Sequence, residues 1–263
     1  MKRVLLICAL VFALCAPAFA PASAAGKTIT VGATPFPHGD ILKVAAPVLE
    51  KEGYTLEIVE FNDYVQPNLA LASGHLDANF FQHIPYLENM NAEKKLDLAS
   101  AAAVHIEPLG LYSKKITALD ELKKGDRIAV PNDPTNEARA LRLLEASGLI
   151  TVKPGELVTI YDIVENPREL DFVELEAAQL PRTLGDVRAA VINTNFAAAA
   201  DLVPSRDAIV IEGSDSPYVN VIAVQAKNMD SDATKALIKA VQSPEVKAYI
   251  ENELGPKGIV AAF

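Results

Sequence analysis

Arg139, three asparagines (Asn136, Asn193 and Asn220) and four ring residues (Tyr64, Phe81, His83 and Tyr86) stand where this chain could do chemistry. An arginine near a helix start can hold a carboxylate through two parallel hydrogen bonds, with the helix dipole helping. An asparagine amide can serve an ammonium through its oxygen and a carboxylate through its nitrogen. Aromatic rings can take an apolar side chain. Together the set matches an α-amino acid with an apolar side chain. Plainer readings stand beside each assignment. Arg139 could be a surface residue paired with Glu137 or Asp133, since exposed ion pairs are common and weak. Asn193 and Asn195 could simply form a turn after a strand. Asn220 sits inside the apolar run Tyr218 to Ile222, and a buried amide without partners costs roughly 1–3 kcal/mol. It therefore needs either backbone pairing or a ligand. His38 and His105 could be a metal pair, but no cysteine or H-x-H spacing supports them. His75 follows a glycine cap and belongs at the surface.

These residues need elements to hold them. Asp77 to Tyr86 (DANFFQHIPY) begins as a buried strand and ends as a helix, because Pro85 suits a first helical turn and not a sheet interior. That puts Phe81, His83 and Tyr86 near the carboxyl end of a strand, where open α/β sheets bind ligands. Before it, Thr28–Ala33, Ile41–Lys51 and Thr55–Glu60 read as strand, helix and strand, with Gly53 capping the helix. Such a unit predicts a parallel crossover. Val65–Ser73 is a short helix, which leaves Tyr64 in the preceding loop. Asn132 to Asn136 opens the best-defined helix, with Asp133 as N-cap and Pro134 at the first helical position. Ala189–Ile192 is a strand that delivers Asn193, and Phe196–Leu202 a short helix. Ala208–Glu212 and Pro217–Gln225 are strands, and Ser243-Pro244 divides a helical tail. The pattern predicts two doubly wound α/β lobes joined by two crossover segments, with a ligand cleft between them. Residues 26–107 plus 220–263 would form one lobe and 108–219 the other.

Composition narrows the function. Lys2 and Arg3, an apolar run and a small-residue stretch make Met1 to Ala25 a secretory signal, with cleavage near Ala24 or Ala25. Both cysteines, Cys8 and Cys15, fall inside it, so the mature chain has no thiol or disulfide. A lipid-attachment motif wants a small residue before its cysteine. Ile7 and Leu14 stand there instead, so the expectation is a periplasmic protein without a lipid anchor. Without Lys2 and Arg3 the chain carries 22 basic against 34 acidic residues, net −12. That argues against nucleic acid and anionic membrane as partners. No nucleophile elbow, phosphate loop, dinucleotide fingerprint or H-E-x-x-H motif occurs, which disfavours an enzyme and names no cofactor.

Several long stretches carry a resemblance. FNDYVQPNLAL, HLDANFFQHIPYL, LYSKKI, VPNDPTNEARAL, VENP, VELEAAQLPR, AVINTNFA and SPYVN run from Phe61 to Asn220. In these the chain resembles the methionine-binding proteins of ABC importers, the NlpA lipoprotein family. The resemblance implies two α/β lobes closing on methionine. It implies ring contacts from Phe81, His83 and Tyr86, extended by Tyr64 and His105. It implies polar contacts from Arg139, Asn193 and Asn220, with Asn136 nearby. It implies a monomer that hands its ligand to an inner-membrane permease–ATPase complex. The chain departs from the family pattern in its weak lipid-attachment motif. Another small amino acid, a methionine-containing dipeptide, or an exported enzyme acting on an amino-acid derivative are the competing expectations.

Overall fold

The computed structural model describes residues 27–213 and 216–263, so the expected export signal and both cysteines lie outside the described residues. The chain opens with β1 (Lys27–Ala33), α1 (Asp40–Lys51) and β2 (Tyr54–Glu60). β1 and β2 pair in parallel, as the strand–helix–strand pattern predicts. α1 buries Ile41, Leu42, Ala45 and Leu49 at helical spacing, and Gly53 (φ +84°) turns the chain after it. α2 (Gln66–Ala72) leads to β3 (Ala78–His83), every residue of which is buried. α3 (Ile84–Lys94) comes next without a break, with proline in its first turn. β4 (Leu98–Ile106) then runs out of this lobe.

The second lobe begins at β5 (Gly110–Tyr112) and continues through β6 (Arg127–Pro131) and α4 (Pro134–Ala146). A small hairpin, β7 (Thr151–Val152) with β8 (Ile163–Glu165), precedes β9 (Asp171–Leu175) and α5 (Leu180–Thr183). β10 (Ala189–Ile192), α6 (Thr194–Ala198), α7 (Pro204–Asp207) and β11 (Val210–Ile211) complete it. The chain then returns as β12 (Val219–Gln225), α8 (Asp232–Val241), α9 (Pro244–Tyr249) and β13 (Val260–Ala261). Ser231 and Ser243 cap α8 and α9, each accepting a backbone N–H of the helix it opens.

Two main sheets result. The first has the order β13-β4-β12-β3-β1-β2, and the second β11-β5-β10-β6-β9. β1 lies parallel to β3, and β6 parallel to β9 and β10. β12 is antiparallel to both β3 and β4, so each sheet is a parallel core with antiparallel additions. Several expected elements shrink. The strand expected over Ala208–Glu212 is only Val210–Ile211, and the one over Pro217–Gln225 starts at Val219. The helix expected over Phe196–Leu202 begins earlier, at Thr194, and Asp201 ends that turn at φ +60°.

α4 obeys the predicted chemistry closely. Asp133 Oδ1 accepts from the Asn136 backbone N–H at 3.0 Å, and both its oxygens accept from the Asn136 amide. Loss of such a cap costs ~0.5–2 kcal/mol. Asp133→Ala is expected to lower the unfolding midpoint by ~1–8 °C, at ~2–4 °C per kcal/mol for a domain this size. A thermal melt checks it, and an unchanged midpoint would show that the cap adds nothing.

Candidate functional site

The turn from β3 into α3 fixes the first wall. His83 is the N-cap of α3, and its Nδ1 accepts the Tyr86 backbone N–H at 3.1 Å. That leaves the proton on Nε2, which donates to Asn136 Oδ1 in the other lobe at 3.2 Å. Burial pushes the His83 pKa down to about 3, with the Arg139 charge adding to the effect, so the ring is neutral. Tyr64, Phe81 and Tyr86 gather with ring centroids 5.8–6.0 Å apart, and Phe196 stands 4.9 Å from Tyr64. The Tyr64 hydroxyl donates to Asn195 Oδ1 at 2.6 Å, a second link between the lobes. The Tyr86 hydroxyl donates to the Tyr64 carbonyl at 2.9 Å.

The opposite wall is polar. Asn136 is its hub: Oδ1 accepts from both His83 and Asn193, the latter at 2.8 Å, while its amide nitrogen is held by Asp133. The amide nitrogen of Asn193 is thereby engaged, whereas its Oδ1 is buried and without a partner among the described residues. Asn220 Oδ1 accepts from His38 Nε2 at 3.0 Å, and Asn220 is 5% exposed, so the oxygen of this buried amide is held by a side chain and not by the backbone the sequence suggested.

Arg139 is 4% exposed, which overturns the surface reading. Its partner is neither Glu137 nor Asp133. Nε donates to Glu212 Oε1 at 3.1 Å, Nη2 donates to Glu212 Oε2, and Nη2 also donates to the Glu107 carbonyl at 2.7 Å. Tyr218 stacks on the guanidinium at 4.2 Å and meets His83 edge-on at 5.0 Å. Among the described residues Nη1 makes no hydrogen bond.

These walls border a small, partly open pocket between the lobes. Tyr64, Phe81, His83, Tyr86, Asn136, Arg139, Asn193 and Asn220 all line it. His105 does not. It lies one layer back, fully buried, donating from Nε2 to Glu107 Oε1 at 2.9 Å. Sequence reasoning missed Glu107, which takes the lining position, and Glu212, which holds Arg139. Glu107 had one visible signal. It is a carboxylate closing the apolar strand Val104–Ile106, just before Pro108 at the first crossover. His38, His105 and Glu107 do stand together, with His38 Nε2 3.3 Å from the same carboxylate oxygen. Burial lowers the His38 pKa to about 4 and that of His105 to about 3, so both are neutral.

Residues 29–263 match the family model described as NlpA lipoprotein. The chain belongs to the NlpA lipoprotein family. A Salmonella typhi family member named D-methionine-binding lipoprotein MetQ is 48% identical over 223 residues, 83% of this chain and 82% of that protein. A Burkholderia cenocepacia nutrient-binding protein, solved bound to methionine, superposes with TM-score 0.87 at 50% identity. The match covers 89% of this chain and 100% of that one. A Coxiella burnetii ABC transporter periplasmic substrate-binding protein matches at TM-score 0.85 and 46% identity, over 89% of this chain and 100% of its own. The two-lobe binding-protein fold expected from the sequence is that of these structures. The expectation of a protein without an acyl anchor finds no support here, because both the family description and the Salmonella name carry the word lipoprotein. Among the described residues no helix is long and apolar enough to cross a membrane.

Proposed function

We propose that this chain is the extracytoplasmic binding protein of an ABC importer and that its ligand is methionine. The observation that carries the reading is the pocket between the lobes, aromatic on one wall and set with Arg139 and amides on the other. A zwitterion with a thioether side chain fits that division. Its side chain would lie among Tyr64, Phe81 and Tyr86, and its carboxylate would face Arg139. The methionine-bound Burkholderia relative supports the choice of ligand. Residues 26–107 plus 220–263 and residues 108–219 are proposed as the two lobes, a division that the two sheets follow to within one residue, since β12 of the first sheet starts at Val219.

The proposed mechanism is closure. His83 to Asn136 and Tyr64 to Asn195 are bonds between lobes, so they form as the cleft shuts. The closed pair of lobes then presents one surface to the permease. A monomeric protein is part of the proposal.

Mass spectrometry of the purified protein after denaturation tests the ligand. Released methionine is expected, at close to one per chain. A different amino acid or a methionine dipeptide in its place would overturn the assignment. Conversion of an added amino-acid derivative by the protein would favour an exported enzyme instead.

A further inference from the structure

A regular strand points side chains three positions apart to opposite faces. In β3, Asn79 and Gln82 are three apart, yet Gln82 Nε2 donates to Asn79 Oδ1 at 2.9 Å. The pairing with β12 shows why. Gln82 stands opposite Val221 and Phe80 opposite the next residue, Ile222, so Phe81 has no counterpart on β12. Phe81 is therefore the extra residue of a β-bulge, a device that re-aims a side chain. Phe80 packs into the core of the first lobe. Phe81 turns to the pocket instead and meets Tyr64 and Tyr86 at 5.9 and 6.0 Å between ring centroids.

The side chains on either side of the bulge close on Asn68 of α2. Asn68 Oδ1 accepts from Asn79 Nδ2 and from Gln82 Nε2, each at 2.8 Å, and Asn68 Nδ2 donates to Gln82 Oε1 at 2.7 Å. Asn79 Nδ2 also donates to the Pro67 carbonyl at 3.2 Å. All three amides are buried. Gln82 borders the pocket too, but its amide nitrogen already donates to both asparagines. Stability alone does not call for such a ring, because apolar groups of the same shape can replace a buried polar set at little cost. What the ring adds is selection of one backbone form. A strand without the bulge would carry Gln82 to the opposite face and leave Asn68 buried with its donor and acceptor unmet, which costs more than the bonds themselves contribute.

We propose that Asn68, Asn79 and Gln82 are positioning residues, whose amide ring holds the β3 bulge and so keeps the Phe81 ring in the wall that receives the ligand side chain. This rests on the methionine reading above and deepens it. None of the three needs to touch the ligand for the effect.

The test is a double-mutant cycle, read by calorimetric titration of methionine into the parent, Phe81→Ala, Asn68→Ala and the double variant, each first checked for folding by a melt. Phe81→Ala is expected to weaken binding ~30-fold, the scale of an aromatic anchor in a packed site. Asn68→Ala should weaken it ~10-fold in the parent and by less than ~3-fold in the Phe81→Ala background, where no ring is left to misplace. Should Asn68→Ala not fold, Asn79→Ala runs through the same cycle with the same expectation. A ring that is only structural would lower the unfolding midpoint and leave the affinity of the folded protein within ~3-fold of the parent, and that result overturns the proposal. So does a ~10-fold loss that recurs unchanged in the Phe81→Ala background, since the amides would then act by another route. A parent that does not bind methionine overturns the ligand reading and takes this one with it.

Discussion

Arg139→Ala is expected to weaken methionine binding by about 30- to several-thousand-fold. The guanidinium is buried, and a ligand carboxylate enclosed with it would lose its only fixed cation. Truncating one member of such a pair costs ~2–5 kcal/mol, and each ~1.4 kcal/mol is a factor of ten. Glu212 would lose its partner as well, and so would the Glu107 carbonyl that now accepts from Nη2. Part of the loss should therefore appear as lower stability, which a melt of the unliganded variant separates from the loss of affinity. Arg139→Lys should recover only a fraction, because an ammonium cannot hold Glu212 by two bonds and still reach a ligand. An Arg139→Ala protein that is folded and binds methionine within about threefold of the parent, ~0.6 kcal/mol, would remove Arg139 from the site.

The other large effect is expected at Phe80, in the middle of β3. Its ring is fully buried and meets His38 and His105 edge-on, with centroids at 4.6 and 5.3 Å. A buried Phe→Ala change costs ~3–5 kcal/mol, transfer and cavity terms together. At ~2–4 °C per kcal/mol the unfolding midpoint should fall by ~6–20 °C. Affinity should fall too, since the cavity frees the two imidazoles that orient Glu107. A midpoint within ~2 °C of the parent would mean that the neighbours refill the space, and that Phe80 does not hold this layer together.

The features legible in the sequence were those that rest on local rules. The β3–α3 turn was legible because Pro85 cannot continue the buried strand and suits the first turn of a helix. α4 was legible because Asp133, Pro134 and the spacing of Ala140, Leu141 and Leu144 all say the same thing. Eight of the nine expected ligand residues share the cavity because they sit at ends of such elements. The failures have a common cause. β7, β8 and β13 are two or three residues long and partly exposed, so they show no period. Glu212 is one of 34 acidic residues, and nothing local marks it as the partner of an arginine 73 positions away. His105 lies behind the lining residue Glu107, because the resemblance names a position in the chain and not which of two neighbours faces the cavity.

β12 lies between β3 and β4, although it comes from the far end of the chain. Its side chains reach partners such as His38, which Asn220 meets across 182 positions. A ribosome or an export channel releases residues in order, so the two lobes cannot be finished in the order they are begun. The strands β5 to β11 are all in hand before β12 appears, and their lobe can close while the first is still open. Until then β3 and β4 each lack the neighbour that covers an edge, and β3 carries no acidic residue, lysine or arginine to guard its own. Uncovered strand edges of this kind recruit other chains, and pairing over such sequence distances is slow. The newly made chain is thus most vulnerable to aggregation late, in the interval before β12 arrives, and a chaperone that shields it has β3 and β4 to cover.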